Sequence, residues 1–200
     1  MLVTPRGGNP SETYLIYRGE RARVDLRHQA VVRALRLDGV VAQEISPLVL
    51  EAIPEAPAIS PPHVPARGTA SILPGLPVGT VVRVPGAGAA DLFVLLADGV
   101  QRLGQVAADL IRYTDSRSDP QIPTVAAHRI GSLPVVESLP VTTFPDRGGV
   151  SAHPVVCAHW VPGPTPRTAV LAWTSVPAES PPVTLAQADA LMVLLEKTGH

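Results

Sequence analysis

The sequence predicts an α+β protein: small repeat domains, each of antiparallel strands plus short helices, attached to part of a β-rich central domain. Short runs of strand-forming residues are followed by short helical patterns, and this succession is written twice, about 79–80 residues apart. Proline and glycine are abundant, at 23 and 16 residues, and aromatic residues make up only 4% of the chain. The composition therefore predicts many turns around a core of aliphatic side chains.

The first copy is predicted over residues 10–57. Strand-forming stretches on either side of an Arg-Gly turn predict a hairpin, and a helix closed by Gly39 follows. A second short helix is predicted with Ser46 as its cap, Pro47 at its first position and Pro54 ending it. No clear strand precedes the hairpin, which leaves open that this copy is truncated at its start.

Residues 58–76 are predicted to be a proline-rich linker. The linker overlaps a stiff, extended connector over 54–68 that is expected to have no packed core. The second copy follows over residues 77–140. Three strands are predicted there, at 78–84, 92–97 and 100–106, and two short helices come after them, the second again stopped by proline.

Residues 141–200 have a different character. Two apolar strands, each with a tryptophan, are predicted at 153–160 and 167–176, and the strongest helical pattern of the chain covers 184–199. Such strands need further pairing partners, so this segment is interpreted as part of a central β-rich domain.

Charge and hydropathy exclude several classes of protein. The 16 basic and 17 acidic residues form no basic cluster, so a nucleic-acid partner is not expected. No apolar run approaches the ~18 residues of a membrane span, and the N-terminus lacks the apolar centre of a signal peptide. Any membrane anchoring is therefore expected only through a segment outside these 200 residues.

Glycine-rich stretches give no nucleotide site. Residues 86–91, GAGAAD, look like a dinucleotide fingerprint, but a strand follows them where that motif needs a helix N-terminus. No phosphate-binding loop is present, and Lys197, the single lysine, is not beside a glycine loop. No catalytic residue and no cofactor are predicted, so whether the chain is an enzyme stays uncertain, with the sequence leaning against it.

Several clusters of reactive side chains are candidate sites in the sequence. His153, Cys157 and His159 could give a metal ligands, but no second pair has matching spacing, so no metal is predicted. Asp25 with His28, and Ser60 before a Pro-Pro-His stretch, have no nucleophile elbow or identifiable base.

The two copies also place Arg23 and Arg102 at matching positions. These arginines could bind an anion, although such residues are more often solvated on a sheet face.

Five stretches occur in a fixed order: YLIYRGERARVDL, ISPLVLEAIPEAP, LPVGTVVRV, VLLADGVQRLGQVAADLIR and PVVCAHW. This set closely resembles the extracytoplasmic part of EccB, a core membrane component of mycobacterial type VII (ESX) secretion systems. The resemblance runs from about residue 11 to 176.

The resemblance implies a single-pass inner-membrane protein whose periplasmic region has a central β-rich domain carrying small repeats like those of a phage-lysin cell-wall-binding module. It implies that Cys157 is one half of a disulfide whose partner lies outside this chain, and that the chain is an internal fragment or a truncated product. It also implies, as partners, the other subunits of the membrane complex and further copies of the protein.

Three functions stay open at this point. The leading one is a structural and assembly component acting by protein–protein contacts on the periplasmic side. The second is a peptidoglycan-binding module, which needs exposed aromatic platforms, with Tyr14, Tyr17, Phe93 and Tyr113 as candidates. The third is a nucleotide hydrolase, as the family is sometimes labelled.

Overall fold

The computed structural model describes residues 1–7, 12–86, 90–114, 121–153, 155–161 and 167–173. These residues form ten strands and four short helices. In chain order they are β1 (Leu2–Pro5), β2 (Thr13–Tyr17), β3 (Glu20–Val24), α1 (Gln29–Leu35), β4 (Gln43–Ile45), α2 (Pro47–Glu51), β5 (Glu55–Ile59), β6 (Val81–Val84), β7 (Asp91–Leu95), β8 (Val100–Leu103), α3 (Gln105–Tyr113), α4 (Ala127–Gly131), β9 (Val155–Val161) and β10 (Arg167–Trp173). The predicted α+β class is confirmed.

The first sheet has the order β4-β1-β2-β3-β5. Its three central strands are antiparallel, whereas β4 pairs with β1 and β5 pairs with β3 in parallel. The edge strands can pair in parallel because the segments that contain α1 and α2 are long enough for the chain to cross the sheet before it pairs again. Pro47 opens α2 as predicted, since its fixed φ suits the first helical turn.

The second sheet repeats this order on a smaller scale. Strands β6, β7 and β8 are antiparallel neighbours, and single parallel bridges flank them where β4 and β5 flank the first sheet. These bridges join Arg83 to Thr124 and Val100 to Val135. The two parts of the chain therefore share one strand order.

The register of the two sheets shows how the copies correspond. The Arg21 N–H donates to the Pro54 carbonyl at 2.8 Å, and the Val100 N–H donates to the Pro134 carbonyl at 2.9 Å. The repeat in the sequence predicts that Pro54 and Pro134, the prolines that stop the second short helix of each copy, match each other, and these two bonds support that match. The repeat in the sequence also predicts that Gly19 and Gly99, the glycines at the two hairpin turns, match each other. This prediction is wrong by one residue, because Arg21 and not Glu20 corresponds to Val100. The hairpin turns differ: Arg18 and Gly19 both have positive φ, and the shorter second strand pair turns through 97–98.

Two expectations about the first copy need correction. Strand β1 is the counterpart of β6 that the sequence did not reveal, since LVTP is too short to show an alternating pattern. The connector over residues 54–68 is not free of the core, because its first part is β5, with Ala56 and Ile59 buried, and Val64 is buried after it. The sequence did not predict this strand because its buried apolar residues stand at every third position instead of every second. The exposed proline between these apolar residues suggests a linker.

Three local details also differ from the sequence-based expectation. Helix α1 ends at Arg36, whose left-handed backbone takes the place predicted for Gly39. Ser46 precedes α2 but makes no side-chain capping bond. The strand predicted over 100–106 ends at Leu103, because Gly104 starts α3.

A common aliphatic core joins the two copies. Helix α1 packs against α3, and Val31 and Leu35 belong to the same buried cluster as Val106, Leu110 and Ile111. A second cluster lies only in the second copy, around Val82, Leu95 and Ile130. The larger cluster makes the two copies one packed body.

The last described elements are the predicted apolar strands. Strands β9 and β10 pair in antiparallel over their whole length, with Cys157 opposite Leu171. Val156 and Val170 pack against a buried cluster of the first copy that includes Ile16 and Ile53. The predicted helix over 184–199 lies outside the described residues. The division into two repeats, a linker and part of a central domain stays a prediction.

Candidate functional site

An open cleft of about 460 Å³ lies beside the packed helices α1 and α3. Four arginines line it, two from α1 and its C-terminal end, one from β6 and one from α3. The lining residues are Arg33, Arg36, Arg83, Gln105, Asp109, Arg112, Tyr113, Gln121 and Ile122. Four guanidinium groups thus share this cleft with one carboxylate among the lining residues, so its charge favours anions.

Contacts made by residues of helices α1 and α3 hold two of these arginines in place. The guanidinium carbon of Arg33 lies 4.4 Å from the centre of the Tyr113 ring, a cation–π arrangement. The Arg112 guanidinium is 6.0 Å from the same ring, and its Nη1 lies 3.5 Å from Asp109 Oδ1. Gln105 Nε2 donates to the other carboxylate oxygen of Asp109 at 2.9 Å. Asp109 is therefore a structural partner of α3 rather than a free acid.

Arg33 and Arg112 occupy equivalent places in the two copies, because they are 79 residues apart and the same separation relates β3 to β8. The sequence carried this signal in the matching triplets VVR and LIR, which end at these arginines. It gave no sign that the two helices face each other, so it could not bring the four arginines together.

The arginines singled out from the sequence do not form this site. Arg23 is exposed on β3. Arg102 is paired with Asp91 at 2.5 Å and lines a smaller cleft of about 100 Å³ with Phe144 and Asp146. The structure therefore does not gather Arg23 and Arg102 around one ligand.

The other sequence candidates show no catalytic arrangement in the described part of the chain. Asp25 accepts bonds from the Arg27 main chain at 2.9 Å and from its guanidinium at 3.0 Å. These bonds hold the pKa of Asp25 below its usual value. The His28 N–H donates to the Asp25 carbonyl, so this pair serves the turn before α1. Ser60 and His63 are both exposed.

The described residues include one free thiol and no group of side chains that could hold a metal ion. Within them, no group of three or more histidine, cysteine, aspartate and glutamate side chains is placed to hold a metal ion. Cys157 is a free, half-buried thiol. Its neighbour His159 lies in β9, but the His159 side chain is outside the described residues.

The four aromatic side chains that the sequence offers as platform candidates are each engaged in other contacts. Tyr14 carries the Arg21 guanidinium 5.5 Å from its ring centre, and Tyr17 donates its hydroxyl to the Thr143 carbonyl at 2.7 Å. Phe93 packs against the second aliphatic cluster, and Tyr113 lies under Arg33.

The described residues form a β-rich body in which two sheets of similar strand order are joined by helices α1 and α3, with the arginine-lined cleft beside these helices. The model of the family described as type VII secretion system ESX-1, transport TM domain B, matches residues 1–197, and the chain belongs to this EccB family. The resemblance seen in the sequence is thereby confirmed. Within the described residues, no helix is long and apolar enough to cross a membrane.

Curated relatives agree with this assignment. The chain is 35% identical over 163 residues to the ESX-3 secretion system ATPase EccB3 of Mycolicibacterium smegmatis, which covers 76% of this chain and 31% of the relative. It is 34% identical over 168 residues to the ESX-2 secretion system ATPase EccB2 of Mycobacterium tuberculosis, covering 80% of this chain and 33% of the relative. The chain thus spans about a third of the length of these relatives.

Solved structures share the fold. A chain of the EccB3 dimer from the ESX-3 core complex matches with a TM-score of 0.76 and 30% identity, over 88% of this chain and 47% of that one. A chain of the periplasmic assembly from the ESX-5 inner membrane complex matches with a TM-score of 0.67 and 26% identity, over 85% of this chain and 44% of that one.

Proposed function

We propose that this chain is a structural and assembly part of a type VII secretion membrane complex, on its periplasmic side, and that it acts by contacts with sister subunits and with further copies of itself. One observation carries the proposal: the two repeats share a single aliphatic core and form one body with the fold of EccB chains in ESX inner-membrane complexes.

A shared core suits an assembly role. Domains linked only by modest, polar interfaces move relative to one another. Here the α1–α3 contact is aliphatic, and the Gly149 N–H donates to the Leu35 carbonyl at 2.8 Å beside it. Two repeats fixed in this way present their outer surfaces at a constant spacing, which a subunit of a multi-chain assembly needs.

A peptidoglycan-binding role is the alternative that the repeats suggest by their fold. Carbohydrate sites commonly offer exposed aromatic faces with free hydrogen-bonding groups around them. The four candidate rings are each occupied by a guanidinium, a hydrogen bond or aliphatic packing. Cell-wall contact therefore has less support than contact with protein subunits.

A nucleotide hydrolase is the third role, because the curated relatives carry ATPase in their names. Phosphoryl transfer needs a positioned phosphate cradle and a metal ion. Lys197, the single lysine in the sequence, is not part of a glycine-rich loop. The assembly role predicts that the purified chain releases phosphate from ATP no faster than a buffer blank.

The deciding experiment expresses the affinity-tagged chain in a mycobacterium that makes the secretion complex, followed by detergent extraction and native gels. We expect the chain to co-purify with subunits of that complex. A Gly148→Ala variant should lose this association, because the added methyl group would lie 2.4 Å from the Ala34 carbonyl oxygen of α1 and would displace this helix from its place in the shared core. Gly131→Ala is the matched control, since its methyl group would meet no atom within 4 Å. Sedimentation with insoluble peptidoglycan, without any co-purifying subunit, would overturn the proposal.

A further inference from the structure

We propose that the arginine-lined cleft between the repeats binds an acidic peptide segment of a protein partner. The inference rests on the proposed assembly role and names the chemistry of one of its contacts. The partner segment would carry several carboxylates, each met by a guanidinium fork.

The positive charge of the cleft is not neutralised within the described residues. There, Arg33, Arg36 and Arg83 have no carboxylate oxygen within 4.0 Å, whereas Arg112 pairs with Asp109. All three are exposed, so a ligand can reach them from solvent. Each guanidinium offers a planar fork of N–H donors that matches a carboxylate with two parallel hydrogen bonds.

The backbone under these arginines is fixed. The Arg83 N–H donates to the Pro123 carbonyl and the Arg83 carbonyl accepts from Val125, each at 2.8 Å. At the end of α1, the Leu37 N–H donates to the Val32 carbonyl at 2.8 Å, and the Arg36 N–H donates to the Arg33 carbonyl at 3.2 Å. The main chain that carries these guanidinium groups is therefore already ordered, so ligand binding costs no backbone conformational entropy there.

Arg36 occupies a position where glycine is the usual residue. The two bonds at the end of α1 form a Schellman motif, whose left-handed residue is most often glycine, yet Arg36 has a φ of 55°. An arginine held in this conformation carries backbone strain that a glycine would not. The guanidinium that it places in the cleft is a functional reason for tolerating the strain.

The arrangement favours an extended ligand over a compact anion. Sites for a single phosphate gather main-chain N–H groups around one point. At this cleft the Gln105 N–H is already bonded to the Asp146 carbonyl at 2.8 Å. The guanidinium groups that have no carboxylate partner among the described residues instead come from separate elements, α1 with its C-terminal end and β6, around a volume of about 460 Å³. An extended peptide presents alternate side chains on one face about 7 Å apart, so its carboxylates can meet spaced arginines.

The test uses the full chain and isothermal titration calorimetry with hexaglutamate as the probe. An Arg36→Gly, Arg83→Gln double variant removes two guanidinium groups, and we expect about a tenfold weaker binding of hexaglutamate. The melting temperature of Arg36→Gly alone should not fall, because glycine relieves the positive φ. Arg23→Gln with Arg129→Gln is the matched control, since it removes the same charge from exposed arginines outside the cleft.

Each result bears on the proposal. Unchanged hexaglutamate binding by the control, with no binding of hexaglutamine, supports a peptide site. Equal weakening by both double variants means general charge attraction and overturns it. Tighter binding of pyrophosphate or ATP than of hexaglutamate, with the same dependence on Arg36 and Arg83, would replace the peptide with a phosphate ligand. A chain that co-purifies with the secretion complex but does not bind hexaglutamate would contradict this inference alone and leave the assembly role intact.

Discussion

Tyr17 links the first repeat to the segment that follows the second. Its hydroxyl donates to the Thr143 carbonyl at 2.7 Å, and burial, followed by the charge of Glu20, raises the pKa of Tyr17. A neutral hydrogen bond of this kind contributes about 1 kcal/mol, so Tyr17→Phe should lower the free energy of unfolding by about that amount in urea at neutral pH. Tyr14→Phe is the control, because Tyr14 meets Arg21 through its ring face and not through its hydroxyl.

The same tyrosine predicts a loss of stability in alkali. Because the folded pKa of Tyr17 lies above the unfolded value, its contribution is complete below the unfolded pKa near 10 and disappears as the pH rises through the folded pKa. Absorbance titration of tyrosinate should show a late group that ionises above the usual tyrosine pKa of about 10, and Tyr17→Phe should remove that group. A titration of the variant that still contains this late group would contradict the assignment.

Gln101 is a buried amide that holds the chain after the second repeat. Its Nε2 donates to the Leu139 carbonyl at 2.9 Å, and its Oε1 accepts from the Leu139 N–H at 2.8 Å. Gln101→Leu leaves the Leu139 N–H buried without a partner, whereas the Leu139 carbonyl keeps the bond from the Val141 N–H at 2.9 Å. We expect the free energy of unfolding to fall by about 1–3 kcal/mol. Hydrogen exchange should show early loss of protection at the Leu139 amide. A change within about 0.5 kcal/mol would mean that water replaces the amide without cost.

The family resemblance implies that Cys157 is one half of a disulfide whose partner lies outside this chain, and this stays a prediction. The half-buried thiol lies in β9 opposite Leu171. If its partner is in another segment, iodoacetamide should modify the native chain readily, and non-reducing gels should show a dimer that disappears in Cys157→Ser. A thiol that reacts only after unfolding would remove the structural support for an outside partner.

At the scale of elements, the sequence predicts the helices and strands that depend on local residue patterns. The hairpins, α1, α3 and the paired apolar strands β9 and β10 follow from alternation, helical spacing and turn residues, so they could be predicted. Strand β1 and the partly apolar β5 could not, because each becomes a strand only by pairing with β2 or β3. The arginine cleft escaped prediction for the same reason, since it depends on α1 meeting α3 across a gap of some seventy residues.

The packing of α1 against the loop over 146–149 makes a prediction about elements. A methyl group on Gly148 would lie 2.4 Å from the Ala34 carbonyl oxygen and 3.0 Å from the Leu35 carbonyl carbon, both main-chain atoms that cannot rotate away. Gly148→Ala should therefore destabilise the fold by about 2 kcal/mol or more. Gly131→Ala, in open space within α4, should be neutral or stabilising by up to about 1 kcal/mol. Chemical denaturation of both variants measures the contrast, and equal effects would contradict the close approach.

At the scale of the molecule, the common core predicts that the two repeats unfold together. Leu110 is fully buried on α3 and shares its cluster with Leu15 and Val31 of the first repeat, so Leu110→Ala should cost about 2–5 kcal/mol and lower protection in both repeats. Hydrogen exchange resolved by mass spectrometry measures this, with peptides from residues 13–24 reporting on the first repeat and peptides from 91–103 on the second. Val41→Ala is the control, because that side chain is 89% exposed and its truncation should leave both sets of peptides unchanged. A loss of protection confined to 91–103 would mean that the repeats fold independently, and the rigid spacing on which the assembly role depends would then have to come from the partner subunits.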